Sequence, residues 1–389
     1  MTWGWSDLRG KPVAGTHYPK NELDFARWFT SEDDARRYLV AVRFRSGFFC
    51  VHCGKENPRR RSEDAWWCSA CRRSFTLTTG TAMHRTHTPL EVWLRVAWHM
   101  VNAKSGVAAL TLSRSFGISY KNALYLTHKV RWAMAQSQER LKGTVEMDET
   151  FIGGHEPGGQ GAQRATSNKA TVLVAVERRE CTAFRPRAKH KKKVTLVVAG
   201  RARMRRAYNN STYCLEEFIE ENIEPGSVLR TDGHPEYGAA IRRLAERGLD
   251  YTHFPVSVKA SPEDAHELLP VVHRAIRLVK DTHGAVHKAA ILEHQLDGYL
   301  DEFVFRYNRR NSQSRGLVFW RLICRLVETT QVTQAEIASR KAILEEADKR
   351  TAMLVEEVQL EEKRRRNRGD QRKWRERHAA GVSLANSRA

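Results

Sequence analysis

Two carboxylates in the middle of the chain lie in or beside strand-like segments. Asp148 lies in VEMDETF, where Val145, Met147 and Phe151 alternate as in a β-strand. Asp232 follows a second strand-like run, SVLRT, and precedes a Gly turn. Either residue alone also fits a turn or a helix cap. Together they can meet across a sheet and bind Mg²⁺ through hard oxygen ligands. Two such ions promote phosphodiester cleavage and transfer.

Four of the seven cysteines form two pairs, Cys50-x₂-Cys53 and Cys68-x₂-Cys71, with fourteen residues between the pairs. Two such pairs supply the four thiolates of a tetrahedral site, so we predict one structural zinc ion per chain. Zinc would contribute much of the folding free energy of so small a unit. His52, inside the first pair, is not expected to be a ligand. The paired spacing indicates a reducing compartment and a metal, not a disulfide framework.

The charge of the chain indicates a polyanionic partner. Its 389 residues include 66 Lys and Arg against 45 Asp and Glu, a net charge of +21. Residues 181–215 hold ten basic and no acidic side chains, and residues 363–377 hold nine basic against two acidic. We therefore predict that the protein binds nucleic acid. The basic side chains expected to contact it here are Arg72, Arg73, Lys191, Lys192 and Lys193.

A helical segment precedes the first carboxylate. A helix over about 106–115, a turn at Gly117 and a second helix capped by Ser119 match helix-turn-helix spacing. Any packed helical hairpin has the same pattern, so plain packing is the alternative. The second helix is expected to present outward four side chains able to reach bases or phosphates: Tyr120, Lys121, Asn122 and Lys129.

The carboxylates fall in an α/β region with a mixed sheet. The predicted strands are 144–152, 170–177, 193–199 and 227–231, and the predicted helices are 213–222, 235–247, 265–281 and 289–308. The fold class is therefore multidomain α+β. We predict an N-terminal helical region (1–45), a zinc ribbon (46–87), a helix-turn-helix-like DNA-binding region (88–142), a catalytic domain (143–310) and a helical, basic C-terminal extension (311–389).

No apolar run is long enough to predict a membrane span. The N-terminal residues lack the apolar core of a signal peptide. We therefore expect a cytoplasmic location.

Six sequence blocks between about Phe25 and Arg310 carry a family resemblance: FCVHCG, CSACRRSFTLTTGT, GVAALTLSRSFGISYKNA, VEMDETFIGG, TDGHPEYG and YLDEFVFRYNRR. They resemble the RNase H-like insertion-sequence transposases of the DDE superfamily that carry a zinc ribbon, the bacterial relatives of Merlin elements. The resemblance implies binding of terminal inverted repeats in double-stranded DNA, followed by metal-dependent cleavage and strand transfer into target DNA. It also implies a homodimer or higher homo-oligomer, because two ends are brought together, in a bacterial or archaeal nucleoid.

The resemblance assigns Asp148 and Asp232 to the first two catalytic positions of the family. At the third, family members commonly carry a carboxylate seven residues before a Lys. Here that Lys is Lys280, and His273 stands seven residues earlier. The two share a helix face, since seven residues advance about 10.5 Å with about 20° of rotation. We expect Asp148, Asp232 and His273 to hold two Mg²⁺ or Mn²⁺ ions, and Lys280 to contact DNA.

Other roles for these residues stay open. As a metal ligand, the neutral imidazole of His273 is softer than a carboxylate and brings no negative charge. His273 could instead only form a hydrogen bond in the core. Three carboxylates just upstream could take the third position: Glu263, Asp264 and Glu267. Glu146 and Glu149 are expected to be supporting or solvent-facing, and Glu149 should point to the opposite strand face from Asp148.

Two other functions share these features. One is a catalytically inactive, transposon-derived DNA-binding regulator, although a binding module needs neither Asp148 nor Asp232. The other is an RNase H-like nuclease that acts without strand transfer.

Overall fold

The computed structural model describes residues 8, 10–135, 139–153, 169–184, 193–256, 268–287 and 291–386. It divides into two compact units. Unit 1 comprises Met1–Ser137, Gly153–Gly159 and Ile276–Arg340, and unit 2 comprises Gln138–Ile152, Gln160–Ala275 and Lys341–Ala389.

The described helices and strands are numbered in chain order. The helices are α1 (Glu22–Trp28), α2 (Glu32–Arg43), α3 (Leu90–Asn102), α4 (Ala109–Phe116), α5 (Tyr120–Ala133), α6 (Thr212–Asn222), α7 (Pro235–Glu246), α8 (Pro270–His287), α9 (Leu296–Tyr307), α10 (Arg315–Glu328) and α11 (Gln334–Asn386). The strands are β1 (Arg59–Arg60), β2 (Ala65–Cys68), β3 (Arg73–Thr76), β4 (Thr144–Ile152), β5 (Ala170–Phe184), β6 (Lys193–Ala207), β7 (Val228–Thr231) and β8 (Thr252–Pro255).

Unit 1 combines a small antiparallel sheet, in the order β1-β2-β3, with a helical core. The predicted helix pair is present as α4 and α5. Gly117 ends α4 in the left-handed region at φ 63°, where glycine carries no side-chain penalty. Ser119 caps α5, because its side chain accepts the Asn122 N–H. Aromatic side chains fill the core near α1, with Phe25 packed against Trp98 and Phe319.

Unit 2 is built on a five-stranded mixed sheet in the order β6-β5-β4-β7-β8. β4, β5 and β6 are antiparallel neighbours, whereas β7 is parallel to β4 and β8 is parallel to β7. Val145 and Met147 on β4 belong to a buried cluster with Leu215 and Phe218 of α6. The alternate residues of β4 therefore face the other side of the sheet. The predicted mixed α/β architecture is confirmed.

Two strands run further than the sequence pattern predicts. β5 and β6 each span fifteen residues, and β6 continues through the basic run RARMRR. Carboxylates neutralise the basic side chains of that run: Arg201 pairs with Glu177, and Arg206 pairs with Asp348. These long-range pairs allow a strand where local composition alone favours a solvated loop.

The C-terminal extension is helical, as predicted. Part of α11 packs on unit 2 itself, where Val355 joins the buried cluster and Glu362 pairs with Arg242 at 2.6 Å. Helix α10 also lies within the predicted helical extension. Within the described ranges, no helix combines the length and apolar character needed to cross a membrane.

Candidate metal and nucleic-acid sites

The four paired cysteines converge in unit 1. Their Sγ atoms all lie within 4.8 Å of one another. Cys50 Sγ lies 3.7 Å from Cys71 Sγ, and Cys53 Sγ lies 3.6 Å from Cys68 Sγ. Tetrahedral zinc with bonds of about 2.3 Å sets its sulfur ligands about 3.8 Å apart. The cluster therefore fits a structural zinc ion.

The surroundings of the cysteines are those of a small ribbon. Trp66 on β2 stacks on Phe75 of β3 at 5.7 Å and contacts Phe44 after α2. His52 is exposed, with Nε2 3.4 Å from the Ser74 carbonyl, and is not part of the sulfur cluster. Arg72 and Arg73 are exposed beside Cys71, and their contact with nucleic acid stays a prediction.

The two predicted aspartates lie on neighbouring parallel strands of unit 2. Thr144 and Glu146 of β4 pair with Val228 and Arg230 of β7. Continued by two residues, this register sets Asp148 opposite Asp232, which directly follows β7; adjacent strands lie about 4.8 Å apart. Backbone N–H groups orient both carboxylates. Asp148 Oδ1 accepts the Glu149 N–H at 2.9 Å, and Asp232 Oδ1 accepts the His234 N–H at 3.0 Å.

His273 reaches the same place from α8. Its Nε2 lies 3.4 Å from Asp148 Oδ2, and the side chains are 32% and 17% exposed. The ligand atoms of Asp148, Asp232 and His273 do not all lie within 4.8 Å of one another, whereas those of the four cysteines do. Among the residues that the structure describes, the cysteines are the one group of three or more potential ligands whose ligand atoms all lie within 4.8 Å.

Other predicted residues lie elsewhere. Lys280 is exposed on α8, in the part of the helix that belongs to unit 1. Several predictions fall outside the described residues: those on Lys191, Lys192, Glu263, Asp264 and Glu267, and that on the side chain of Lys193.

Glu146 has a larger role in the structure than its sequence position suggested. It is fully buried, and its Oε2 accepts the N–H groups of Val271 and Val272 in the first turn of α8, at 2.8 and 3.1 Å. Its Oε1 accepts a hydrogen bond from Arg178 at 2.9 Å. A carboxylate at a helix N-terminus satisfies free N–H groups and complements the helix dipole. The local signal was Pro270, since proline favours the first helical position.

Glu149 points to the opposite face of β4 from Asp148, as the strand alternation predicts. It accepts hydrogen bonds from the Tyr237 hydroxyl and from Asn210, both at 2.9 Å. Burial raises the pKa of Tyr237 well above its usual range, and the charges of Glu149, Asp148 and Asp232 raise it further. Three carboxylates therefore act on one buried phenol. Of these three, Asp148 and Asp232 are the ones whose hard oxygens fit a divalent cation, because Glu149 faces the other side of β4.

The second helix of the pair only partly presents its predicted side chains outward. Tyr120 is 53% exposed and Lys121 is exposed. Asn122 is half-buried, and its amide donates to Thr88 Oγ1 at 3.0 Å. The outward placement of Lys129 was wrong, because this side chain is only 4% exposed. An α-helix cannot keep polar residues from successive turns all on the solvent side once α5 packs on both α3 and α10.

Comparisons with known proteins agree with this architecture. Residues 140–308 match the family described as ISXO2-like transposase domain, and residues 30–74 match the transposase zinc-ribbon domain. The chain is also 26% identical, over 128 residues, to an uncharacterized protein in transposable element ISH50 from Halobacterium salinarum. That similarity spans 32% of this chain and 43% of the relative.

Proposed function

From its membership of the zinc-ribbon, DDE-superfamily insertion-sequence transposases, we propose that this protein cuts the ends of an insertion sequence and transfers them into target DNA. The observation that carries the proposal is the approach of His273 to Asp148 at 3.4 Å, beside a strand register that brings Asp232 to the same edge of the sheet. Asp148 of β4 and His273 of α8 are in contact there, and Asp232 directly follows the neighbouring strand β7. A protein that only binds DNA has no need of that arrangement.

Asp148, Asp232 and His273 would hold two divalent ions, Mg²⁺ or Mn²⁺. When bound, such ions activate a water or a 3′-hydroxyl and stabilise the leaving oxygen of a phosphodiester. Asp148 and Asp232 supply hard oxygen ligands, and His273 supplies a neutral nitrogen. The set therefore carries one negative charge fewer than three carboxylates would.

The neighbouring residues orient these ligands. Glu146 holds the first turn of α8, and His273 is the next residue after the two N–H groups that it binds. Glu149 is engaged by Tyr237 and Asn210 on the far face of the strand, so Asp148 and the buried Glu146 are the carboxylates on the near face. In this proposal Lys280 contacts a DNA phosphate.

The zinc ribbon and the helix pair would bind the terminal inverted repeats. Exposed Arg72 and Arg73 on the ribbon, and exposed Tyr120 and Lys121 at the start of α5, support this assignment. The protein would act as a homodimer or higher homo-oligomer, because both element ends must be held together.

The test is an assay of labelled element ends and a target plasmid with Mg²⁺ or Mn²⁺. We expect Asp148→Asn to lower cleavage by at least roughly 10³-fold, because it removes an anionic metal ligand worth several kcal/mol, while DNA binding persists. Asp250→Asn, at an exposed loop position, is the matched control and should cleave as the wild type does.

The products distinguish the other functions. Binding without cleavage under either metal would contradict the enzymatic proposal and favour a regulator. Cleavage without joining to the plasmid would contradict strand transfer and favour a nuclease.

A further inference from the structure

A pocket of about 410 Å³ opens in unit 1 beside the predicted DNA-binding helix. It lies between the segment that leads into α3, the buried side of α5 and the residues before α11. None of the described residues that line it is Asp or Glu. Six of the lining residues bear on its chemistry: Arg85, Thr86, Thr88, Asn122, Tyr125 and Lys129.

Lys129 is the buried charge of this pocket. It is 4% exposed, and its ammonium lies 4.8 Å from the ring centre of Tyr125 and 5.9 Å from that of Trp93. Within the described part of the chain, no carboxylate pairs with the ammonium and no acceptor takes a hydrogen bond from it. Burying an ammonium is costly unless it is paired, and aromatic faces compensate only in part. Burial accordingly lowers the pKa of Lys129.

Other positive charge converges on the same place. Burial lowers the pKa of His84, and the charges of Arg85 and Lys129 lower it further, so both cations act on one lining residue. Arg85 is exposed and adopts φ 52°, an uncommon conformation for a residue with a side chain. Burial raises the pKa of Tyr125, and the charge of Glu336 raises it further. The Glu336 carboxylate accepts a hydrogen bond from the Thr333 N–H.

Polar groups with fixed orientation complete the wall. Asn122 donates to Thr88 Oγ1 at 3.0 Å, which fixes its amide group. Thr86 Oγ1 accepts the Trp93 indole N–H at 2.9 Å. A cationic pocket with amide and hydroxyl groups recognises a tetrahedral oxyanion.

We propose that this pocket binds a phosphate group of a DNA strand, with Lys129 as its buried charge and Arg85 at its rim. The assignment of DNA rests on the proposed function, whereas the anion chemistry rests on the pocket itself. The anion supplies the partner that Lys129 otherwise lacks. The exposed side chains of Tyr120 and Lys121 begin the same helix, so a strand that contacts them passes near the pocket.

The test compares full-length wild-type protein with Lys129→Met, which keeps an unbranched side chain of similar size and removes its charge. Duplex DNA affinity is measured over a range of salt concentrations. We expect the variant to bind about tenfold more weakly. The plot of log affinity against log salt concentration should become less steep, its slope falling in magnitude by about one. Its melting temperature should equal or exceed that of the wild type, because an unpaired buried charge is gone.

Lys349→Met is the matched control. Lys349 is 76% exposed on α11, sixteen residues after the last pocket residue, Thr333, and its contact with Glu346 is long at 3.9 Å. This variant should keep the wild-type salt slope. Equal affinity and equal slope for Lys129→Met and the wild type would overturn the proposal.

A second measurement separates the two sources of phosphate. Inorganic phosphate, at constant ionic strength, should raise the melting temperature of the wild type and of Lys349→Met but not of Lys129→Met. If this shift occurs while the DNA salt slope of Lys129→Met is unchanged, the pocket takes free phosphate and the DNA part of the proposal is overturned. Neither readout needs cleavage, so an inactive wild-type protein would contradict the proposed function and leave this test intact.

Discussion

Glu146 Oε2 accepts the backbone N–H of Val271 at 2.8 Å and so joins strand β4 to the first turn of α8. The same oxygen accepts the Val272 N–H, and Arg178 binds the other oxygen. His273 follows Val272 directly, and Asp148 lies two residues beyond Glu146 on the same strand face. The buried carboxylate therefore holds β4 against the first turn of α8, close in the chain to both Asp148 and His273.

We predict that Glu146→Gln weakens both unit 2 and catalysis. The amide keeps one acceptor but loses the negative charge that pairs with Arg178 and the helix N-terminus, at a cost of about 1–3 kcal/mol in the free energy of unfolding. Denaturant unfolding measures this loss. Cleavage of element ends should require more Mg²⁺ at half-maximal rate, because His273 is less well oriented.

Glu180→Gln is the control for that variant. Glu180 contacts the same Arg178 at 3.6 Å but is 62% exposed, and exposed pairs contribute little to stability. It should match the wild type in both assays. A Glu146→Gln protein with unchanged metal dependence would show that Glu146 has no positioning role.

Removal of zinc should unfold the ribbon. Cys68→Ser takes one thiolate from a cluster whose metal binding contributes roughly 10 kcal/mol to folding. We expect about one zinc per chain in the wild type by atomic absorption, and its loss in the variant. The near-ultraviolet circular dichroism of Trp66, which packs between Phe44 and Phe75, should weaken at the same time.

Cys181→Ser provides the comparison, because Cys181 is exposed on β5 and lies outside the sulfur cluster. It should retain zinc. A Cys68→Ser protein that keeps both its zinc and its aromatic spectrum would argue against the four-thiolate site.

Unit 1 should lose stability in mild acid because of His283. Burial lowers the pKa of His283 to about 4, and the charges of His287, Arg131 and Arg306 lower it further, against an opposing effect of Glu302. The folded state thus prefers the neutral imidazole. Its stabilising contribution is complete above the ordinary pKa of 6.5 and is lost as the pH falls from there towards 4.

At about pH 4 the loss amounts to about 3 kcal/mol. Urea unfolding between pH 4 and pH 7 measures it, and His283→Leu should flatten the profile. His99→Leu, at an exposed position on α3, should keep the wild-type profile. Parallel profiles for the wild type and His283→Leu would assign the acid sensitivity to other groups.

Local patterns in the sequence predict much of this architecture. The two cysteine pairs predict the sulfur cluster, because the Cys-x₂-Cys spacing is local and does not depend on how the rest of the chain folds. Ser119 and Gly117 predict the boundaries of the helix pair, because caps depend on neighbouring residues alone. Strand alternation predicts that Glu149 and Asp148 face opposite sides of β4.

Features that depend on distant partners were not predictable in this way. The basic part of β6 becomes a strand because carboxylates elsewhere in unit 2 neutralise it, as Glu177 does for Arg201. The burial of Lys129 depends on the rings of Tyr125 and Trp93, and that of Glu146 depends on the first turn of α8. Residue type alone places such charges at the surface.

His273 carries the last prediction, because it stands where the family resemblance leads one to expect a carboxylate. Its Nε2 is 3.4 Å from Asp148 Oδ2, so a metal ligand at this position is within reach of the first aspartate. His273→Asp adds a hard, anionic oxygen donor, and we expect half-maximal cleavage at a several-fold lower Mg²⁺ concentration. His273→Ala removes the donor and should raise that concentration or abolish cleavage, with a smaller defect in Mn²⁺.

His253→Asn is the matched control for these variants. His253 lies on β8 of the same sheet, where its Nε2 is 3.1 Å from Thr231 Oγ1. Its substitution should leave the metal dependence unchanged. If His273→Ala cleaves with the wild-type dependence on Mg²⁺, the imidazole is not a ligand, and its contact with Asp148 serves only the packing of α8 on the sheet.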